Sequence, residues 1–394
     1  MAWTETGAME EREKFVRDVL RGEGAMSALC DQYGVSRKTG YKWLQRYEEE
    51  GLRGLRDRSR APLRHPNALD ADTVSKVLEL RRAHRSWGPK KLRALLEHND
   101  RRADWPAAST IGDVLKRAGL VKRRSKRQET KPVAYDGERP IIANEPNDLW
   151  TIDLKGAFQL KDRSWSAPLT LADAHSRYLL ECRHLVSGQG RARYWVERAF
   201  RAYGLPRAIR SDNGTPFAGT GLAGLSRMSV WWLKLGINIE RTVPGHPEHN
   251  PRHERFHRTL KAETPVCAHA LAQQRALNRF RRSFNEERPH EALGQRTPAS
   301  VYRASPRAYP AALPNWNYAP GLRVIRVDVK GYLRWKHNPI YLSEAVRTEH
   351  VGLRQIDEAQ WRVFLGTLAI ATLDECELKI RPYVQYKYHV RDAI

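Results

Sequence analysis

The spacing of apolar residues changes character along the chain, and each change marks a different kind of structure. Near the start, Phe15, Val16, Val19 and Leu20 recur at helical spacing and predict a helix over 10–20. A second helix is expected over 25–33, stopping at Gly34. A third is expected over 36–44, with Ser36 as its N-cap. Cys30, the turn residue Gly34 and the anchoring Val35 complete the grammar of a helix-turn-helix. Helical spacing returns over 72–84, from Trp87-Gly88-Pro89-Lys90-Lys91-Leu92, and from Ser109 to Gly119. This second trio reads as another helix-turn-helix-like module, or as a plain packing domain.

From residue 146 the texture becomes α/β. Leu149 to Gly156 is an apolar strand broken by one acid, followed by expected strands at 166–173 and 176–185, a helix over 191–203, and a strand ending at Asp212-Asn213-Gly214. That order fits a mixed sheet flanked by helices. Beyond residue 310, short strands at 331–335, 351–353 and 361–366 predict a small β-barrel. The expected organisation is multidomain: a helix-turn-helix domain at 7–60, a second helical domain at 68–122, a basic linker at 123–145, an α/β core at 146–305 and a β-barrel at 320–394.

Charge gives these modules a partner. The 394 residues carry 69 Lys+Arg against 45 Asp+Glu, a net charge of +24, which points to a polyanion, most often nucleic acid. A hydrophobic content of 41% excludes wholesale disorder. No apolar run approaches about 18 residues, so no membrane partner is expected. Four scattered cysteines argue against a disulfide scaffold and favour a reducing, cytoplasmic setting. In a helix-turn-helix the start of the third helix enters the major groove, which makes Arg37, Lys38, Tyr41 and Lys42 candidate contacts to double-stranded DNA. An ordinary three-helix bundle with a solvated basic face is the plainer alternative. Lys90 and Lys91 are candidates in the second module. The run containing Arg123, Arg124, Lys126 and Arg127 would track phosphates if it lies between DNA-facing modules.

Three acids stand out. Asp153 interrupts an apolar strand, where a charge is costly unless compensated. Asp212 ends a later strand at a glycine turn. Glu254 lies on a helix opened by Asn250 and Pro251, with His257, Arg258 and Lys261 following at i+3, i+4 and i+7. Three converging carboxylates would hold two hard divalent cations, the arrangement used in two-metal phosphoryl transfer. Taken singly, each acid is more often a cap or turn residue. The same helix also spells His253-Glu254-Arg255-Phe256-His257, a literal H-E-x-x-H. A zinc metalloprotease is therefore a remote alternative, weakened by the helix's short, basic character.

Taken in order, the helix-turn-helix, Trp87-Gly88-Pro89-Lys90-Lys91-Leu92, Trp150-Thr151-Ile152-Asp153, Arg210-Ser211-Asp212-Asn213-Gly214, the segment 250–261 and Phe284-Asn285-Glu286-Glu287-Arg288-Pro289-His290-Glu291-Ala292-Leu293 resemble bacterial insertion-sequence transposases with a retroviral-integrase-like core. The resemblance covers about residues 7–305 and implies an RNase H-like core with Asp153, Asp212 and Glu254 as its DDE triad. It also implies two Mg2+ or Mn2+ ions, a homo-oligomer on paired inverted-repeat ends, end cleavage, and attack of the freed 3′-hydroxyl on target DNA. Arg258 and Lys261 would then face that DNA, and the protein would sit with the bacterial nucleoid. One departure is Pro251, where the family usually has glycine; an impaired or domesticated copy acting as a DNA-binding regulator is the corresponding alternative.

Overall fold

The computed structural model describes residues 7–58, 68–121, 141–154, 156–185, 191–219, 221–242, 251–383 and 389–390, with the side chains of 251–254 and 389–390 excepted. The first compact unit holds α1 (Ala8–Leu20), α2 (Met26–Gln32) and α3 (Arg37–Glu50). The side chain of Ser36 accepts a hydrogen bond from the Thr39 N–H and starts α3. Gly34 makes the turn before it at φ +62°, and the Val35 N–H reaches back to the Cys30 carbonyl. Phe15, Val16, Leu29, Cys30, Trp43 and Leu55 form the core of this unit. The expected third helix is longer than its apolar pattern, because its last turn is wholly polar.

The second unit begins with α4 (Ala71–Ala83), α5 (Pro89–Asn99) and α6 (Ala108–Arg117). The α/β core follows: β1 (Leu149–Leu154), the hairpin β2 (Phe158–Gln159) and β3 (Trp165–Ser166), β4 (Leu169–Asp173), β5 (Leu179–Arg183), α7 (Ala192–Tyr203), β6 (Ala208–Ser211), α8 (Arg227–Lys234) and β7 (Asn238–Arg241). Helices α9 (Pro251–Glu263), α10 (Ala270–Arg282) and the single turn α11 (Pro298–Val301) complete it. The sheet runs β7-β6-β1-β4-β5, with β1, β6 and β7 parallel, β4 antiparallel to β1, and β5 antiparallel to β4. This is the RNase H-like, integrase-type arrangement. Alternation along β1 divides the labour. Trp150 and Ile152 enter the large core with Val196, Phe200 and Trp231, while Thr151 and Asp153 share the opposite face with Thr170 and Ala172. On that second face Leu179 and Cys182 pack with Leu260, Leu277, Phe280 and Phe284 of the α9–α10 layer.

The C-terminal strands are β8 (Arg323–Arg326), β9 (Tyr332–Trp335), β10 (Asn338–Tyr341), β11 (His350–Asp357), β12 (Gln360–Leu365), β13 (Leu368–Asp374), β14 (Lys379–Pro382) and β15 (His389–Val390). The expected barrel is a β region of a more open kind. Strands β14-β13-β12-β11-β8 form a five-stranded sheet, and no hydrogen-bonded pairing closes it among the described residues. The β9–β10 hairpin packs near both of its outer strands, β8 and β14, so side chains cover what a barrel would close through its backbone. Strand β15 departs from this sheet altogether and pairs antiparallel with β7 of the core. No described helix is long and apolar enough to cross a membrane.

Gly40 lies inside α3, and a Cβ there would come within 2.6 Å of the Cys30 sulfur and 2.9 Å of the Phe15 ring. On an open helix surface Gly→Ala stabilises by about 1 kcal/mol. Gly40→Ala is expected to destabilise by about 1–3 kcal/mol instead, through overpacking. Faster amide hydrogen exchange along α3 in the intact protein is the readout; slower exchange would contradict this packing.

Candidate active site and DNA interface

Strands β1 and β6 are paired in parallel from Leu149–Ala208 to Thr151–Arg210. The pairing ends two residues before Asp153 and Asp212, which leaves both acids at the same end of the two strands. Asp153 is partly buried. Burial, and then the negative charge of Asp212, push its pKa up to about 7 against the opposing Leu154 N–H. Asp212 stands at the open end of β6, where desolvation raises its pKa against the N–H groups of Gly214 and of Asp212 itself. The Asn213 amide donates to the Thr242 carbonyl, and the Thr242 N–H donates to the Ser211 carbonyl. These bonds tie the acidic turn to the end of β7.

Helix α9 crosses in front of this pair. Its first residue is Pro251, whose missing N–H has no intrahelical acceptor to lose and whose fixed φ suits the first turn. His257 places Nε2 3.4 Å from an Asp153 carboxylate oxygen. Position 254 lies three residues earlier, hence on the same helix face. The carboxylate of Glu254 and the side chain of His253 fall outside the described residues, so the structure brings together Asp153, Asp212 and His257 and locates Glu254 by its backbone alone. Arg258 and Lys261 are exposed on α9, at i+4 and i+7 from position 254.

The remaining basic candidates divide into three groups. Arg37, Lys38, Tyr41 and Lys42 are all exposed and, by their spacing, share one face of α3, opposite the buried Gly40 and Trp43. Arg123, Arg124, Lys126 and Arg127 lie outside the described residues. Lys90 and Lys91 are brought against the core. Lys90 pairs with Glu291 at 2.8 Å, and half-buried Lys91 faces Arg288, its pKa lowered to about 8 by burial and then by that like charge.

This last contact joins two segments that sequence reading treated separately. Buried Trp87 stacks on His84 at 3.9 Å, and the Arg288 guanidinium lies 5.7 Å from the Trp87 ring centroid. Arg288 also donates to Glu263, the last residue of α9, which accepts from Ser86 as well. Three residues before Arg288, Asn285 exchanges two hydrogen bonds with Leu179 that hold the chain after α10 to β5. The second helical module is thus docked on the end of α9, the helix whose beginning bears Glu254. Sequence reasoning missed this junction and the approach of His257 to Asp153. The signal for His257 was its i+3 spacing from Glu254.

Comparison with known families agrees with this architecture. Residues 143–247 and 235–298 each match an integrase core domain family, residues 11–62 match a helix-turn-helix domain family, and residues 39–115 match a homeodomain-like family. The chain is 30% identical over 251 residues to the insertion element IS407 uncharacterized 31.7 kDa protein of Burkholderia multivorans, covering 61% of this chain and 84% of that one. It is 30% identical over 284 residues to the insertion element IS476 uncharacterized 39.2 kDa protein of Xanthomonas euvesicatoria, covering 67% and 74%. The chain belongs to the bacterial insertion-sequence transposases that carry an integrase core domain. Among solved structures it is similar to a simian T-cell lymphotropic virus intasome chain, with 14% identity, a TM-score of 0.35 and coverage of 80% of this chain and 98% of that one. It is also similar to the HTLV-2 integrase catalytic core domain in complex with magnesium, with 15% identity, a TM-score of 0.30 and coverage of 41% and 100%.

The raised pKa of Asp153 fixes the sign of a pH effect. A carboxyl whose folded pKa exceeds its unfolded value of about 4 keeps its proton longer in the folded state. Its stabilisation is present at low pH and is lost as pH rises from about 4 through about 7. Without divalent cations, Asp153→Asn is therefore expected to melt above the wild type at pH 8, with the difference shrinking toward pH 4. A constant difference across that range would contradict the shift.

Proposed function

We propose that this chain is the DNA strand-transferring enzyme of its element, cutting at inverted-repeat ends and joining the freed 3′-hydroxyl to target DNA. Asp153, Asp212 and Glu254 are its metal-holding triad. The single observation that carries the reading is the nearness of Asp153 and Asp212 at the same end of β1 and β6, with His257 of α9 against Asp153. Carboxylate oxygens crowded until one resists ionisation are a donor set suited to a hard divalent cation. Magnesium or manganese held there, as two ions, would activate the attacking oxygen and stabilise the leaving one.

The chain's own groups supply positioning. Asp153 is carried on a central strand, and Asp212 directly follows the neighbouring strand in a turn tied to the end of β7. His257 lies against the inner carboxylate and orients it. The exposed face of α3 reads base edges through Arg37, Lys38, Tyr41 and Lys42, while Arg258 and Lys261 on α9 bind backbone phosphates beside the acids. The basic stretch with Arg123, Arg124, Lys126 and Arg127 adds salt-sensitive affinity. A homo-oligomer holds two ends together, so that both meet one target. The start of α9 at Pro251 supports an active copy rather than a decayed regulator, because the helix forms from that residue onward.

The test is magnesium-dependent nicking of a labelled duplex carrying the inverted repeats that flank the gene. The wild type is expected to nick it, and Asp153→Asn, Asp212→Asn and Glu254→Gln to reduce nicking by about 10³-fold or more while retaining gel-shift binding. Binding without nicking by the wild type would sink the catalytic reading, as would full activity in any of the three variants.

A further inference from the structure

One rung back from the acids, the sheet carries a buried ion pair. Arg210 of β6 stands opposite Glu240 of β7 on one side and opposite Thr151 of β1 on the other. Arg210 lies two residues before Asp212, so alternation along the strand sends both side chains to the same face. The Arg210 Nε donates to a Glu240 carboxylate oxygen at 3.0 Å, and its Nη2 lies 2.9 Å from the same oxygen. Nη2 also donates to the Ile141 carbonyl at 3.0 Å, while the other Glu240 oxygen accepts from the Ile141 N–H at 2.9 Å. These contacts are nearly dry: the two side chains are 12% and 3% exposed.

The pair is close enough to the acids to matter. Two residues of extended strand separate Arg210 from Asp212 by about 7 Å, within the reach of an extended arginine side chain. A guanidinium beside Asp212 would bind its carboxylate through a fork of N–H groups and hold its pKa down. The structure shows the opposite state. Burial raises the Asp212 pKa, and among the described residues only backbone N–H groups oppose it. The arginine two residues away is turned across the strands to Glu240 rather than along its own strand to the acid. Glu240 is what holds it there. Without that charge the guanidinium keeps a single carbonyl partner, and an unpaired buried cation is driven toward the next carboxylate within reach.

We propose that Glu240 is a positioning residue: by binding Arg210 across the strands it keeps that guanidinium off the Asp212 carboxylate, leaving the acid pair for a divalent cation. The inference rests on the reading of Asp153 and Asp212 as metal ligands. Its distinct content is that a competing cation is built in beside the acids and held away from them. Arg210 has its own task, since together with Glu240 it fastens the backbone of Ile141 to β6 and β7. Glu240 confines the arginine to that task.

Electron paramagnetic resonance of Mn2+ added to the intact protein measures binding at the acid pair, as the fraction that Asp153→Asn removes. Glu240→Gln keeps an acceptor for the Ile141 N–H but turns an amide NH2 toward Arg210. It is expected to weaken that fraction's affinity by about ten-fold or more, because a positive charge a few ångströms away opposes the ion. Adding Arg210→Met removes the released cation. The double variant is expected to return to within about two-fold of the wild type, since replacing both members of a buried ion pair is tolerated better than losing one. A crystal structure of Glu240→Gln without metal is expected to show Arg210 donating to Asp212. Unchanged Mn2+ affinity in Glu240→Gln overturns the proposal, and so does an Arg210 that stays on the Ile141 carbonyl. A double variant as weak as the single one also overturns it, because disturbed strands rather than a released arginine would then explain the loss. Where Glu240→Gln fails to fold, Glu240→Asp, which withdraws the charge by one methylene, is judged by the same comparisons. The two readings fail differently. A wild type without Asp153-dependent Mn2+ removes the metal assignment, whereas Mn2+ bound equally by wild type and Glu240→Gln removes only the role of Glu240.

Discussion

The architecture turns on one electrostatic constraint: two carboxylates are held on adjacent parallel strands where their charges oppose each other and the surroundings exclude much of the water. Left alone, such a pair protonates or moves apart. The sheet limits the second escape, because Asp153 is paired with Thr170 of β4 and Asp212 directly follows the last residue of β6. The pair is thus kept crowded by hydrogen bonds and hydrophobic burial elsewhere. Trp150 and Ile152 anchor β1 from the other face, among Phe200 and Trp231, so the strand cannot rotate to release its acid. Burying side chains of this size contributes roughly 1.5–3 kcal/mol each, comparable to the cost of the crowded carboxylates.

Helix α9 connects that constraint to the rest of the chain. Its first turn carries Glu254, its second places His257 against Asp153, and its last residue, Glu263, accepts from Arg288 and Ser86. A disturbance at the Trp87–Arg288 junction therefore has a mechanical route to the acids along a rigid element. Lys90 and Lys91 illustrate the same economy. Both are basic residues in a DNA-binding protein, yet one is paired with Glu291 and the other is half-buried beside Arg288. Basic charge in this chain both attracts DNA and fastens one module to another.

Much of this was legible in the sequence, unevenly and for physical reasons. Asp153 announced itself because a charge at the alternating position of an apolar strand is rare, and Asp212 because a glycine turn followed it. Ser36 and Gly34 marked the start of α3 because caps and turns are local. The C-terminal part of α3 was missed because Gln45, Arg46 and the three glutamates at 48–50 carry no apolar period. Strand β10 was hidden by Pro339, which in sequence argues against a strand and in the structure sits in a two-stranded hairpin. Barrel closure was not readable, since it depends on pairing between strands far apart in sequence. The same holds for β15, which leaves its neighbours to join β7. The Trp87–Arg288 junction was least legible of all, because Ser86, Trp87, Glu263 and Arg288 come from three separate segments.

The central claim is that Asp153 and Asp212, completed by Glu254, form a divalent-cation centre. Anomalous diffraction from crystals of the intact protein soaked in Mn2+ tests it most directly. The account predicts manganese between the Asp153 and Asp212 carboxylates, with Glu254 as a further ligand, and loss of that density in Asp153→Asn. Manganese bound elsewhere while this pair stays empty, or density that persists unchanged in Asp153→Asn, would contradict it.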